Sequence, residues 1–389
     1  MSLITNPTIA VVAGESSGDL LASRMLSGLR PQLPHANLHG IGGKHMAEYG
    51  FVSDYPMETL SVRGLFEVLM HYREIKAVQT NLIDQLLAER PNVFIGVDAP
   101  DFNFTVEQRL KEAGIPTVHF IGPSIWAWRR GRINKIIKSV SHMLVIFPFE
   151  EEIYKAANVP VTYVGHPLAE VLPLEPDTMA ARQELGLPLD ATIVTIMPGS
   201  RLSEINYNTA AFIGAAKILA QRDPSIRFIV PMVGDKQRNA YIEQVVKAQL
   251  SDVPVLLING ASHTAITAAN SVLVASGTAT LEVALLKKPM VIAYKQTWAS
   301  WQIMRRMAYQ PWIGLPNILA REFLVPEFVQ DEANPLALAD ALWKQLHDDK
   351  LVARLKQRFL DMHHSLLRDS ARESAQAILQ IINQSATGK

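Results

Sequence analysis

No cysteine occurs in the 389 residues, which excludes disulfides, thiolate nucleophiles, zinc ribbons and iron–sulfur clusters and leaves the redox compartment undetermined. Net charge is lacking as well. Lys plus Arg number 37 against 37 Asp plus Glu, so no global field draws the chain onto nucleic acid, and any polyanion site must be local. Charged residues are few, at 19%, beside 48% apolar ones, a balance that describes a globular chain and not a disordered one. No apolar run reaches the roughly 18 residues of a membrane span; the stretch from Ser271 to Leu286 is interrupted by Gly277, Thr278 and Glu282. No basic residue precedes Arg24, and the apolar run Ile9–Ala13 stops at Gly14, so a secretory leader is not expected and cytosolic residence is. There is no Asp-x-Asp pair and the eleven histidines are scattered along the chain, so a divalent cation has no obvious cage.

The length suggests two or three domains. Short apolar runs at 8–13, 93–97, 117–121 and 143–147, and again at 192–197, 227–230, 255–258, 272–275 and 290–294, alternate with helix-length periodic segments. Runs of that length, apolar on both faces, read as buried parallel strands, so each half is expected to be a doubly wound sheet. Between the halves lies GHPLAEVLPLEPD (165–177), too broken by proline and glycine for a helix or strand, and the domain boundary is placed there: 1–170 and 171–389. Beyond Pro335 the pattern is helical to the end, a tail expected to pack back on the first domain or on a partner subunit.

In doubly wound folds ligands bind beyond the carboxyl ends of the strands, and candidate residues cluster there. The first such turn, AGESSGDLL (13–21), is flexible and rich in donors; it is also a plain helix start with Ser17 or Asp19 as cap. In GVDAPDFN (96–103), Asp98 stands at a strand end, where partial desolvation can adjust a carboxylate for general-base work, while Asp101 or Asn103 is expected to cap the helix and Pro100 to delay its start. MPGSRLSEI (197–205) leads a Gly-Ser-Arg turn into a helix, an arrangement suited to a diphosphate. ASGTATLE (275–282) offers a second Gly-Thr helix start, with Glu282 either accepting from two ribose hydroxyls or stabilising the helix dipole. His166 and His119 either line the site or are core histidines. Two acid-free aromatic patches, GPSIWAWRRGRINKIIK (122–138) and KQTWASWQIMRRMAYQPW (295–312), suit phosphates, anionic lipid headgroups or RNA, or are solvated helix faces. Leu65, Phe66, Val68 and Leu69 are either lipid-facing or ordinary core helix.

Taken in order, AGESSGD, GVDAPDFN, GPSIWAWR, GHPLAE, PGSR, SGTATLE and GLPN resemble the bacterial lipid-A-disaccharide synthases, glycosyltransferase family 19, over the span from about Ile9 to the C-terminal helices. Ser16 replaces a familiar Thr and Gly122 a familiar Ser. The resemblance implies an α/β fold of two Rossmann-like domains facing a cleft, the GT-B glycosyltransferase architecture, the first binding acceptor and the second UDP-sugar. It implies inverting transfer of 2,3-diacylglucosamine from UDP to the 6-hydroxyl of 2,3-diacylglucosamine 1-phosphate, giving a β-1,6 disaccharide 1-phosphate and UDP without cofactor or metal.

Its implied catalytic residues are Asp98 and Arg201. Gly14, Glu15, Ser16, Ser17, Gly18 and Asp19 would shape the acceptor side. Gly199, Ser200, Arg201, Ser276, Gly277, Thr278, Ala279, Glu282 and Asn317 would hold UDP. Leu65, Phe66, Val68, Leu69, Arg129, Arg130 and Arg132 would meet anionic inner-membrane lipids from the cytoplasmic side. No nucleic-acid partner is expected, and a homodimer is left open. Two rivals stand beside this reading: a UDP-sugar epimerase with the same PGSR turn, and a non-enzymatic membrane or RNA adaptor that would leave Asp98 unexplained.

Overall fold

A computed structural model describes residues 6–60, 65–127, 130–307 and 309–386, with side chains described from residue 72 in the helix Leu65–Glu89. The chain forms two compact units, Met1–Glu170 with Leu366–Lys389, and Val171–Ser365.

The first unit is a seven-stranded sheet: β1 (Thr8–Ala13), β2 (Asn37–Ile41), β3 (Phe51–Ser53), β4 (Val93–Val97), β5 (Thr117–Phe120), β6 (His142–Val145) and β7 (Val161–Tyr163). All neighbours are parallel, in the order β3-β2-β1-β4-β5-β6-β7. Because β1 sits centrally, its alternate side chains enter two cores. Ile9 and Val11 pack with Met25, Leu26, Leu29, Ile378 and Ile382, whereas Ala10 and Val12 pack with Leu82, Leu86, Val106 and Leu110.

The C-terminal helix Ser370–Ala386 lies on the helix Ser16–Leu29 so closely that a Cβ on Gly28 would stand 2.2 Å from the Ala371 carbonyl oxygen. The segment read as too broken for regular structure contains a short helix, Pro167–Val171, begun by a proline where the missing N–H costs nothing. Its motif seats the C-terminal helix. Glu170 accepts from the Ser370 N–H at 3.1 Å and from the Ser370 hydroxyl, and pairs with Arg24 at 2.8 Å. Gly165, at φ +89°, leaves room for Arg368 Cβ, which a Cβ there would meet at 2.6 Å.

The second unit repeats the plan with six parallel strands: β8 (Ile193–Met197), β9 (Arg227–Met232), β10 (Val255–Asn259), β11 (Ser271–Ala275), β12 (Met290–Tyr294) and β13 (Glu327–Val329), in the order β10-β9-β8-β11-β12-β13. Its core joins Val194, Ile196, Leu273 and Val291 to Phe212, Leu219, Leu338 and Leu342. Among the described residues no helix is long and apolar enough to cross a membrane.

Candidate active site

In each sheet the order reverses between two hydrogen-bonded strands, and loops leaving such a pair splay apart into a crevice at the carboxyl edge. In the first unit the pair is β1 and β4, with Ala13 beside Val97. This register sets the AGESSGD turn against the GVDAPD turn. A Cβ on Gly14 would lie 3.2 Å from Ala99 Cβ.

Asp98 is exposed, with its backbone at φ +51°, and Ala99 follows at φ +43°. Two consecutive left-handed non-glycine residues persist only where their surroundings hold them. Here the Asp98 N–H donates to Phe120 O at 2.9 Å, and the Asp98 carbonyl accepts from Asn103 Nδ2 at 2.8 Å. Pro100 excludes the right-handed region for Ala99 and opens the helix Pro100–Glu112 in its first turn, so the proline starts this helix and does not delay it. Neither Asp101 nor Asn103 caps it. Asp101 is exposed and meets Arg132 at 3.1 Å, while Asn103 is wholly buried beneath Asp98.

One helical turn on, Glu107 is buried against His119 at 2.7 Å, and burial holds its carboxyl above the usual range. Gly96 supplies the space, because a Cβ there would meet Glu107 Oε1 at 2.2 Å and Asn103 Cβ at 2.9 Å. His119 is therefore a core residue. His166 is another: buried, it accepts the Leu168 N–H on Nδ1, and desolvation lowers its pKa to about 4.

Glu15, Ser16 and Ser17 are exposed, whereas Gly14, Gly18 and Asp19 are buried. Neither Ser17 nor Asp19 caps the helix Ser16–Leu29. Asp19 instead accepts from the N–H groups of Gly43 (2.8 Å), His45 (3.1 Å) and Met46 (3.2 Å), so it organises the loop after β2 and does not present its carboxylate to a ligand. That loop lines an open hollow of about 440 Å³ with Asp54, Tyr55 and Met57. Arg130 is exposed, Trp126 packs edge-on against Phe149, and the side chains of Leu65, Phe66, Val68, Leu69 and Arg129 lie outside the described residues.

In the second unit the reversing pair is β8 and β11, which brings the PGSR and SGT turns together. Gly199, at φ +133°, must be glycine, since a Cβ would stand 2.3 Å from Glu204 Cβ. Glu204 accepts from the N–H groups of Ser200 (2.9 Å) and Arg201 (3.2 Å) and meets the Arg201 guanidinium at 3.0 Å. Two donors expected to face a diphosphate are thus taken by a carboxylate, and what the turn offers outward is the guanidinium, 78% exposed. Buried Asn208 ties the turn down: Nδ2 donates to Pro198 O at 3.0 Å, and Oδ1 accepts from Lys295 N at 3.0 Å.

Across the pair, Ser276 donates its hydroxyl to Ile313 O at 2.7 Å, Ala279 is half-buried, and Gly277 and Thr278 are exposed. Among the described residues a Cβ added to Gly277 would meet nothing within 4 Å, and its φ is not in the left-handed region, so neither packing there nor backbone strain demands a glycine. Glu282 is paired with His263 at 3.1 Å, and this bond raises the His263 pKa. Asn317, expected at UDP, turns into the fold. It is wholly buried; Nδ2 donates to Val325 O (2.9 Å) and Glu327 Oε1 (2.8 Å), and Oδ1 accepts from Val325 N (2.9 Å). Among the described residues no three His, Asp or Glu side chains gather as a metal-ligand set.

A family model described as lipid-A-disaccharide synthetase matches residues 9–382. A lipid-A-disaccharide synthase of Azoarcus sp. (strain BH72) is 49% identical over 381 residues, covering 98% of this chain and 97% of the relative. Among solved structures, a putative UDP-N-acetylglucosamine 2-epimerase from Listeria monocytogenes superposes with a TM-score of 0.63 at 10% identity, over 99% and 98% of the two chains. The calicheamicin glycosyltransferase CalG4 does so with 0.57 at 13%, over 97% and 99%. At such identities these two likenesses speak to the fold alone, which is that of GT-B glycosyltransferases and epimerases.

Proposed function

The chain belongs to the lipid-A-disaccharide synthetase family, and from that premise we propose that its two units divide one glycosyl transfer between them. It is a glycosyltransferase that forms the lipid A disaccharide. In our reading the donor is UDP-2,3-diacylglucosamine, held by the second unit, and the acceptor is 2,3-diacylglucosamine 1-phosphate. The Asp98 carboxylate takes the proton of the acceptor 6-hydroxyl as that oxygen attacks C1 of the donor sugar. The bond from C1 to the diphosphate oxygen breaks, UDP leaves with the electron pair, and C1 is inverted to a β linkage.

Charge builds on the departing diphosphate, and a fixed cation already in place lowers that barrier without reorganisation. The Arg201 guanidinium is suited to this task by its exposure and by the Glu204 contact that orients it. No metal is needed in this scheme. Glu282, oriented by His263, has its second oxygen for ribose hydroxyls. Asn317 and Asp19 act at one remove, by shaping the loops around the ligands.

One observation carries the assignment of the base: Asp98 is an exposed carboxylate on a strained turn fixed through both its backbone N–H and its carbonyl. Both substrates carry acyl chains, which supports a peripheral position on the cytoplasmic face of the inner membrane.

The donor half has its own test. Nothing among the described residues needs Gly277 to be glycine, so in this reading the absent Cβ reflects close approach of the diphosphate to the backbone. Gly277→Ala is expected to leave the thermal transition unchanged and to weaken UDP binding roughly tenfold or more, the scale of overpacking by about 1–3 kcal/mol. Calorimetry of UDP binding decides it; wild-type affinity in the folded variant would move the diphosphate away from this turn.

A further inference from the structure

The helix Trp298–Met307 holds none of the residues given a role in the transfer above. None of its ten residues is buried. Stepping 100° per residue, Trp298, Ala299, Ile303, Arg305 and Arg306, all exposed, share one face with half-buried Gln302, while half-buried Trp301, Met304 and Met307 lie on the other with exposed Ser300. Trp298 is 74% exposed and Ile303 61%, and Phe323 follows nearby in sequence at 63%. From Lys295 to Arg321 the chain has no Asp or Glu but carries Lys295, Arg305, Arg306 and Arg321.

Arginine and tryptophan are enriched at protein interfaces as well, but here two guanidiniums alternate with Trp298 and Ile303 around one face of a segment that carries no acid, which suits an anionic surface. The boundary between lipid headgroups and acyl chains accepts that mixture. Tryptophan sits there with its ring in the apolar layer, and arginine stems lie along that layer while the guanidinium reaches phosphate.

We propose that this face of the second unit docks on an anionic bilayer surface, with Trp298 and Ile303 entering the headgroup boundary and Arg305 and Arg306 pairing with lipid phosphates. The inference rests on the reading that the lipid substrates are met at a membrane. It adds a contact on the unit that holds the donor.

The test uses the full chain and two double variants, Trp298→Gln with Ile303→Gln, and Arg305→Gln with Arg306→Gln. Each is sedimented with vesicles of phosphatidylethanolamine plus phosphatidylglycerol and, separately, of phosphatidylcholine alone. Loss of the two arginines should weaken binding to the anionic vesicles roughly 10- to 30-fold at moderate salt and change binding to the neutral ones little. Loss of Trp298 and Ile303 should weaken both by roughly tenfold or more. UDP affinity and the thermal transition should stay at wild-type values.

Wild-type vesicle binding in either folded variant overturns the proposal while leaving the membrane reading intact. If wild type itself fails to sediment with either vesicle, the membrane reading falls and this proposal with it. Vesicle binding that is retained while self-association disappears in the apolar variant makes the patch a protein interface, again overturning it. Should the apolar variant lose its thermal transition, the arginine variant, altered only at exposed positions, carries the test.

Discussion

Asp98→Asn should lower kcat by about 10²- to 10⁴-fold and leave UDP affinity unchanged, the range expected for losing a general base. The substitution is close to isosteric. The bonds that fix this turn run through the backbone of residue 98, to Phe120 O at 2.9 Å and from Asn103 Nδ2 at 2.8 Å, so the side-chain change breaks neither. Asparagine also tolerates the left-handed region at least as well as aspartate, so the φ of +51° adds no cost. The variant should therefore melt as wild type does, and its deficit belongs to proton transfer. Single-turnover kinetics beside calorimetry separate the two quantities; near-wild-type turnover in the folded variant removes Asp98 from the chemistry.

For Arg201→Ala we expect kcat to fall about 10²- to 10³-fold, the scale of losing one preorganised donor from a developing anion. UDP should also bind more weakly, since the product diphosphate keeps the charge that the guanidinium faces. Stability should hardly move. The guanidinium is 78% exposed, a surface pair of this kind contributes about 1 kcal/mol at most, and Glu204 keeps its bonds to the N–H groups of residues 200 and 201. Arg201→Lys should recover part of the rate by restoring charge without the planar fork. Rapid-quench measurement of UDP release decides the matter, and unchanged kcat in the alanine variant would assign the leaving-group cation elsewhere.

What the sequence made legible follows from chain locality. Long apolar strands such as β1 and β4 announce themselves because both faces are buried and every position is constrained. The strands β3, β7 and β13, three residues each, carry too few side chains to leave a pattern, and β2, NLHGI, is interrupted by polar residues and glycine. Asp98 was visible because a carboxylate just past a buried strand is conspicuous. Its support was not: Asn103 looked like a cap, and the Glu107–His119 pair joins a helix to a strand across twelve residues. Glu204 did leave a sign, since a Glu three residues after a helix cap spells a capping box, but Arg201 stands where Ser or Thr is usual. Asn317 stands in the GLPN motif, which points to UDP; its burial depends on Val325 and Glu327, eight and ten residues further on, which no local reading supplies.

In the proposed scheme this one chain joins the two lipid monosaccharides by direct, metal-free displacement of UDP. The most direct measurement incubates purified protein with UDP-2,3-diacylglucosamine and 2,3-diacylglucosamine 1-phosphate in detergent micelles containing EDTA, following UDP and disaccharide together. Both should appear in equal amounts, the new linkage should be β-1,6, and added magnesium should change the rate little. UDP released without disaccharide, an α linkage, or activity that vanishes in EDTA and returns with a divalent cation would contradict the scheme.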